Sequence, residues 1–504
     1  KGQVNSQLPQ VVCDGNPTTA VLFTTNNTSG ATTYNWINSD PSIGLAATGS
    51  GDIPSFNAVN AGTTPVVSTI TVTPSFTNGL VSCSGTPITF TITVNPKGQV
   101  NSQLPQVVCD GNPTTAVLFT TNNTSGATTY NWANSNPSIG LAATGSGDIP
   151  SFNAVNAGTT PVVSTITVTP SFTNGLVSCS GTPITFTITV NPKGQVNSQL
   201  PQVVCDGNPT TAVLFTTNNT SGATTYNWIN SNPSIGLAAT GSGDIPSFNA
   251  VNAGTTPVVS TITVTPSFTN GLVSCSGTPI TFTITVNPKG QVNSQLPQVV
   301  CTGNPTTAVL FTTNNNSGTT TYNWINSDPS IGLAATGSGD IPSFTAVNAG
   351  SVFVVSTITV TPTYSNGGVF CSGTPITFTI TVNPIPIATA TPSTVTICSS
   401  DLTNIALTSN AIGTTYVWTS AATNVTGASS ASGNTITDAL TATAVNPGTV
   451  VYTITPSGSG CSGLPITATV IVNPLPTATI SGATTICNGS STTISFLGTQ
   501  GATV

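Results

Sequence analysis

Alternating apolar and polar side chains mark short strands along this chain. In ITFTITVN, residues 88–95, the apolar side chains face one way and the threonines between them face the other. The run VVSTITVTP at 66–74 has the same period of two, and the runs AVLFTT at 20–25 and TTYNW at 32–36 predict two more strands. Turn-forming stretches such as DGNP and TNG separate these runs. The pattern predicts a folded, all-β chain.

The strand pattern recurs with a period of 96 residues. Three copies are nearly identical, a fourth has drifted, and a fifth is shorter and divergent. A period of this size matches one immunoglobulin-sized sandwich of roughly 100 residues, so each complete unit should have its own core. The predicted domains are sandwiches at 1–96, 97–192, 193–288, 289–384 and 385–474, followed by the incomplete start of a sixth at 475–504.

Composition excludes several classes of function. Charged residues make up 3% of the chain, with four Lys, eleven acidic residues and no His, and the net charge is -7. A nucleic-acid partner is not expected, because no basic patch exists to hold phosphates. The chain has no run of eighteen apolar residues and no charged-then-apolar leader, so we expect neither a membrane span nor a signal peptide in this portion.

Four motifs of each early repeat resemble a known family. They are YNW at 34–36, STITVTP at 68–74, NGLVSCSGTP at 78–87 and the unit-ending ITFTITVNP at 88–96. They are similar to PKD-like, immunoglobulin-like domains arrayed in giant secreted surface adhesins of Bacteroidota, including gliding-motility adhesins. The resemblance implies an all-β, linear tandem array of immunoglobulin-like (PKD-like) β-sandwich domains on a bacterial cell surface. The acidic WDFGDG-type motif of PKD domains is absent, so no ligand role is carried over.

Catalysis is not expected. A Ser or Cys nucleophile would lack its usual activator, because the chain contains no His. Carboxylates are also scarce, and near-identical copies would repeat any active site several times. We therefore predict a protein that is not an enzyme and that binds no cofactor.

Loop aspartates are the candidates for a metal site. Ca²⁺ takes six to eight oxygen ligands, whereas Asp14 becomes Thr302 and Asp40 becomes Asn136 in later repeats. One aspartate recurs in all five units, six residues before AVN. We interpret it as a cap on a short turn, with a metal ligand as the alternative. The five residues are Asp52, Asp148, Asp244, Asp340 and Asp438.

A tryptophan follows two residues after a tyrosine in every complete unit. It lies on the strand where sandwiches bury a core tryptophan, so we predict a core residue. The alternative is a platform on which a sugar stacks. The five residues are Trp36, Trp132, Trp228, Trp324 and Trp418.

Each complete unit carries two cysteines, and none is spaced as in a zinc site. Regular pairs in small sandwiches predict disulfides and an extracellular location. One pairing lies within each unit: Cys13–Cys83, Cys109–Cys179, Cys205–Cys275, Cys301–Cys371 and Cys398–Cys461. The other crosses from each unit to the next: Cys13–Cys179, Cys109–Cys275, Cys205–Cys371 and Cys301–Cys461.

Sandwich geometry favours the pairing between units. Cys13 follows the first strand at the far end of its unit, whereas Cys83 belongs to the final hairpin at the near end. A strand of about 20 Å or more would separate them, against a Cα limit near 7 Å for a disulfide. In a linear array, the far end of one unit meets the final hairpin of the next. Bent strands or a long hairpin would restore the pairing within each unit.

The four lysines are the only cationic side chains, and each begins a repeat: Lys1, Lys97, Lys193 and Lys289. Each could form half of an isopeptide cross-link, although the fifth unit has Ile385 at this position. We interpret them as solvated charges that discourage wrong pairing of edge strands.

The predicted function is structural: the shaft of a long extracellular adhesin or filament that projects a binding tip from a bacterial cell, in adhesion or gliding motility. The expected partners are neighbouring repeats and, through other segments, cell-surface or secretion machinery. One alternative is a multivalent module that binds a glycan or surface through each repeat. Another is a subunit of a polymeric filament joined by strand addition.

Overall fold

The computed structural model describes residues 1–482 and 485–498. Within these residues the regular structure consists of β-strands, numbered β1 to β37 here, and four 3₁₀ helices of three residues each. The chain is a tandem array of immunoglobulin-like (PKD-like) β-sandwich domains, which confirms the predicted fold class. None of the helices in this part of the chain is long or apolar enough to cross a membrane.

The first four repeats contain the same elements in the same order. The first has β1 (Gln10–Cys13), β2 (Ala31–Asn38), a 3₁₀ helix (Pro41–Ile43), β3 (Thr48–Ser50), β4 (Val66–Asn78), β5 (Val81–Ser84) and β6 (Ile88–Asn95). The second has β7 (Gln106–Cys109), β8 (Ala127–Asn134), a 3₁₀ helix (Pro137–Ile139), β9 (Thr144–Ser146), β10 (Val162–Asn174), β11 (Val177–Ser180) and β12 (Ile184–Asn191).

The third has β13 (Gln202–Cys205), β14 (Ala223–Asn230), a 3₁₀ helix (Pro233–Ile235), β15 (Thr240–Ser242), β16 (Val258–Asn270), β17 (Val273–Ser276) and β18 (Ile280–Asn287). The fourth has β19 (Gln298–Cys301), β20 (Thr319–Asn326), a 3₁₀ helix (Pro329–Ile331), β21 (Thr336–Ser338), β22 (Val354–Asn366), β23 (Val369–Ser372) and β24 (Ile376–Asn383).

Each of these repeats has one six-stranded sheet. In the first repeat the strand order is β1-β6-β4-β2-β3, and β5 forms a hairpin with the end of β4. Strand β1 runs parallel to β6, with Gln10 opposite Ile92, and the other pairs are antiparallel. The corresponding order recurs in the next three sheets.

Residue alternation turns one face of the sheet towards the core. In β6, Phe90, Ile92 and Val94 are buried, while the threonines between them are more exposed. Strand β4 contributes Ile70 and Val72 to the same core, as the period of two predicts. Burial of this apolar face stabilises each repeat.

Extended segments cover that face in place of a regular second sheet. Val21 and Ile53 are both buried and form an isolated antiparallel bridge. The prediction of a regular strand at 20–25 was therefore wrong. The next backbone N–H, that of Phe23, donates to the side chain of Asp52 at 2.8 Å, so a carboxylate takes the place of a ladder carbonyl.

The fifth repeat has a more regular second layer. Its main sheet has the order β26-β35-β33-β28-β30, with β34 paired to β33, and it is accompanied by the sheets β25-β27-β31 and β29-β32. Its strands are β25 (Ala388–Thr391), β26 (Thr394–Cys398), β27 (Ile405–Ser409), β28 (Thr415–Thr423), β29 (Val425–Thr426), β30 (Ala431–Ser432), β31 (Thr435–Ile436), β32 (Thr441–Ala442), β33 (Gly448–Gly458), β34 (Cys461–Ser462) and β35 (Ile466–Asn473).

Beyond the fifth repeat, β36 (Ala478–Ser481) and β37 (Ser495–Gly498) form a two-stranded sheet. Parts of the predicted sixth unit, residues 483–484 and 499–504, lie outside the described residues. By Cα proximity the chain divides into two compact units. One comprises Lys1–Gln202, Thr210–Phe248 and Ser260–Ile284, and the other comprises Val203–Pro209, Asn249–Val259 and the chain from Thr285 onward.

Candidate functional site at the seams between repeats

Successive repeats meet without a linker, in contact regions that we call seams. The first seam is formed by Cys13, Asp14 and Asn95 of the first repeat and by Lys97, Asn174 and Cys179 of the second. Strand β6 ends at Asn95, and three residues later the Gly98 N–H donates to the carbonyl of Cys179 at 3.1 Å. The backbone thus enters the second repeat at once, which leaves no slack.

Disulfides join each repeat to the next in the structure. The Cα–Cα distances are 5.4 to 5.8 Å, within the usual range for disulfides. The bonds are Cys13–Cys179, Cys109–Cys275, Cys205–Cys371 and Cys301–Cys461. Each therefore connects the end of a first strand to the final hairpin of the following repeat.

The length of one strand explains this reach. Strand β10 has 13 residues, about 43 Å at about 3.3 Å per residue, whereas β12 has eight. Pairing between these two strands stops at Val168 and Ile184. The rest of β10 pairs with β11, which places Cys179 opposite Phe172 beyond the end of β12. The hairpin thereby projects to the preceding repeat.

The pairing within each unit is not the one in the structure. Cys83 of the first repeat lies on β5, and Cys13 is already bonded to the second repeat. Among the described residues, Cys83, Cys398 and Cys487 carry free, exposed thiols. A bond between Cys398 and Cys461 is likewise absent, because Cys461 is bonded to Cys301.

A bonded seam buries the hairpin of the following repeat. Cys179 is 1% exposed and the neighbouring Phe172 is fully buried, whereas the corresponding Cys83 is exposed and Phe76 is only half-buried. At the third seam, Tyr364 replaces this phenylalanine and packs in one apolar cluster with the disulfide. The disulfides therefore lie in small apolar contacts of their own.

The lysines form ion pairs across the first three seams. Lys97 Nζ lies 3.5 Å from Asp14 Oδ2, and the same pair recurs as Lys193–Asp110 and Lys289–Asp206. The lysine side chains are 53% exposed, so each is only half solvated. The interpretation of the lysines as solvated edge charges thus missed their partners, which precede them by 83 residues.

The carboxylate of Asp14 has a second role within its own repeat. It accepts the backbone N–H of Asn60 at 2.8 Å. At the fourth seam Thr302 takes this position, and its hydroxyl accepts the N–H of Asn348 at 2.9 Å. Replacement of Asp by Thr therefore preserves the loop contact and removes only the charge.

Hydrogen bonds complete the seams at two separate places. At one, the Asn174 side-chain amide donates to Asn95 Oδ1 at 3.0 Å, and Asn95 is fully buried. At the other, the Thr124 N–H donates to the Thr63 carbonyl at 3.0 Å. The fourth seam keeps both types, since Asn383 donates to the Ser459 carbonyl at 2.7 Å and the Ile412 N–H donates to that of Ser351.

A polar groove opens beside the ion pair at the second and third seams. Its volume is about 420 Å³ at the second seam and 410 Å³ at the third. At the third seam its lining includes Asp206, Asn252, Lys289, Gln291 and Asn293. The lining residues include no aromatic ring at either seam. The groove offers hydrogen-bonding groups but no stacking surface.

The predicted core tryptophans are buried in all five repeats. Trp36 packs over the backbone of Gly49 on β3, where an added Cβ would collide with the indole ring. Its indole N–H has no hydrogen-bond partner among the described residues, and neither do those of its four counterparts. The rings contribute apolar burial, and their faces are not available for stacking on a sugar.

The recurrent aspartates hold two distant segments together and do not cap a local turn. In the first four repeats the carboxylate accepts a backbone N–H from 29 residues earlier, as in the bond from Phe23 to Asp52. In the fifth repeat Asp438 accepts the Tyr452 hydroxyl at 2.6 Å. Burial, followed by this hydrogen bond, raises the pKa of Tyr452. Across residues 1–482 and 485–498, no three His, Cys, Asp or Glu residues come together as metal ligands.

Comparison with known proteins gives one family match and several distant structural likenesses. Residues 395–476 match the family model of the PKD-like domain. No curated protein matches the chain in sequence. The solved extracellular domain of protocadherin gamma B4 is 12% identical, with 93% of this chain and 83% of that chain covered and a TM-score of 0.28.

Two further structures are similarly distant. The immunoglobulin domains 1–5 of Sidekick-1 are 11% identical, with coverage of 94% and 98% and a TM-score of 0.23. Mouse cadherin-23 EC22–24 is 13% identical, with coverage of 55% and 95% and a TM-score of 0.30. TM-scores this low carry no inference about this chain. What the comparisons establish is that the fifth repeat, over residues 395–476, is similar in sequence to PKD-like domains.

Proposed function

We propose that these repeats form the shaft of a long extracellular adhesin or filament, which holds a binding tip away from the cell. The observation that carries this proposal is the composition of the seams. A disulfide and hydrogen bonds reinforce the backbone at all four seams, and an ion pair adds to them at three. Reinforcement of every junction suits a part that transmits force or maintains length.

The composition supports a location outside the cell. Disulfides persist in oxidising compartments. The chain has four Lys and no Met, so it offers few sites to trypsin-like proteases and none to methionine oxidation. The resemblance to Bacteroidota adhesins supports a bacterial cell surface and a role in adhesion or gliding motility. The domain boundaries that we propose are the sequence repeats 1–96, 97–192, 193–288, 289–384 and 385–474.

The polar grooves favour a second candidate function. Residues that form hydrogen bonds with a polar ligand recur at the second and third seams, so a weak ligand for one groove would bind to several. In this case the repeats would be a multivalent module for a glycan or another polar surface.

Deletion of residues 97–288 from the protein on its own cells separates the two functions. This change removes two whole repeats and brings Cys13 to the position that faces Cys371, so a seam of native composition replaces those lost. We expect a shorter surface structure in electron micrographs and unchanged adhesion per molecule. Adhesion that falls with the number of grooves removed would contradict the shaft proposal and support the multivalent module.

A further inference from the structure

The disulfides overlap along the chain. Cys109 lies between Cys13 and Cys179, so the second bond begins before the first has closed. The third bond, from Cys205, begins before the second closes at Cys275, and the same holds for the fourth. Every peptide bond between Cys13 and Cys461 is therefore bridged by at least one disulfide.

The overlapping bonds form two interleaved covalent ladders. In the first ladder, Cys13–Cys179 is followed by a segment of 26 residues and then by Cys205–Cys371. In the second, Cys109–Cys275 is followed by a segment of the same length and then by Cys301–Cys461. The two connecting segments contain β12 and β18, each of which lies between two other strands of its sheet.

From this connectivity we infer that the repeats form a redundant, damage-tolerant tether. The two ladders carry tension in parallel, so cleavage of one peptide bond between Cys13 and Cys461 does not separate the chain. Loss of either inner disulfide, Cys109–Cys275 or Cys205–Cys371, leaves the other ladder at the same length. The inference deepens the proposed shaft function but rests on connectivity alone, so its test does not involve adhesion.

The covalent routes set the greatest length of the chain under tension. One route from Lys1 reaches Cys13, crosses to Cys179, follows the chain to Cys205 and crosses to Cys371. It then runs back to Cys301, crosses to Cys461 and continues to residue 504, for 151 peptide steps in all. The route through Cys109–Cys275 has the same number of steps.

Full extension allows roughly 3.3 to 3.6 Å per residue. The oxidised chain should therefore stop at roughly 500 to 540 Å, and the reduced chain at more than three times that length. Pairing within each unit would give 160 steps and almost the same limit. Total length alone thus cannot distinguish redundancy from a simple series of bonded repeats, whereas the loss of one bond can.

Single-molecule stretching of the 504-residue chain, held at its two ends under oxidising conditions, tests the inference. With Cys109→Ser we expect no change in the limiting length, because the other ladder remains. With Cys13→Ser and Cys109→Ser together, the shortest route has 317 steps, and the limit should increase about twofold. The limiting length depends on covalent connections only, so partial unfolding of a variant does not obscure the result.

Cys398→Ser is the matched control, because Cys398 has no disulfide in the structure and its loss should change nothing. Bonds within units would make Cys109→Ser longer by 70 residues and Cys398→Ser longer by 63. Either increase would overturn the inference. Non-reducing peptide maps of each variant verify which bonds remain.

Discussion

Asp14 Oδ2 and Lys97 Nζ lie 3.5 Å apart across the first seam, and both positions change together at the fourth, where Thr302 and Ile385 take their places. The hydroxyl of Thr302 keeps the backbone hydrogen bond that the carboxylate makes. The fourth seam has thus lost both charges and kept the other contacts. Simultaneous loss avoids leaving one charge without its partner.

The exchange of this pair is the first prediction. Lys289→Ile leaves Asp206 unpaired and should lower the free energy of unfolding by less than about 1 kcal/mol, because the lysine is half exposed. The double variant with Asp206→Thr reproduces the fourth seam and should recover most of this loss. Denaturant unfolding in low salt and in 1 M salt measures both. A double variant less stable than the sum of the two single variants would contradict the account.

The second prediction concerns the core tryptophan and its exposed neighbour. Trp36→Ala removes a buried ring and should destabilise the first repeat by about 3 to 5 kcal/mol. Ile37→Ala is the matched control, since Ile37 faces solvent and the second repeat has Ala133 at this position. Hydrogen exchange localises the effect to the first repeat. Equal effects of the two substitutions would mean that the alternation of β2 has been misassigned.

Local patterns predicted the sheet better than its covering layer. The alternation at 66–74 and 88–95 reports side-chain burial directly, and both strands exist. The strand predicted at 20–25 is irregular because Asp52, distant in sequence, accepts the Phe23 N–H. The sequence pattern gave no sign that β4 continues past Pro74 to Asn78, which decides how far its hairpin reaches.

The seams could be predicted only in part. Their cysteines are visible in the sequence, and strand order was enough to suggest a pairing between repeats. The ion pair was missed because Lys97 was considered within its own repeat, whereas its partner belongs to the preceding one. The loss of both Asp and Lys at Thr302 and Ile385 was a usable signal in the sequence.

The third prediction is that calcium has no effect on stability. Asp148 accepts the Phe119 N–H, which an asparagine oxygen can also do. Asp148→Asn should therefore leave the unfolding midpoint nearly unchanged, whereas Asp148→Ala should cost about 1 to 3 kcal/mol by leaving a partly buried N–H unpaired. Addition of Ca²⁺ or a chelator should not shift any midpoint. A Ca²⁺-dependent increase in the wild type that Asp148→Asn abolishes would identify the aspartate as a metal ligand.

The fourth prediction is the dependence of stability on pH. Burial raises the pKa of Tyr34 and of Tyr452 in the folded chain, so an unfolded chain releases these protons at lower pH. The free energy of unfolding should therefore decrease as pH rises above about 10. With no His in the chain, the midpoint should stay constant between pH 5 and 8. Denaturant unfolding of chains with blocked free thiols measures both ranges, and a decrease between pH 5 and 8 would contradict the prediction.

Tryptic cleavage without reduction tests the disulfide connection of repeats most directly. The oxidised chain is denatured, its free thiols are alkylated, and trypsin then cuts after Lys97, Lys193 and Lys289. Because Cys13–Cys179, Cys109–Cys275 and Cys205–Cys371 each join two adjacent pieces, all four large pieces should migrate together near 50.3 kDa and separate only after reduction. Four separate pieces without reduction would show that the bonds lie within repeats, and would contradict the account.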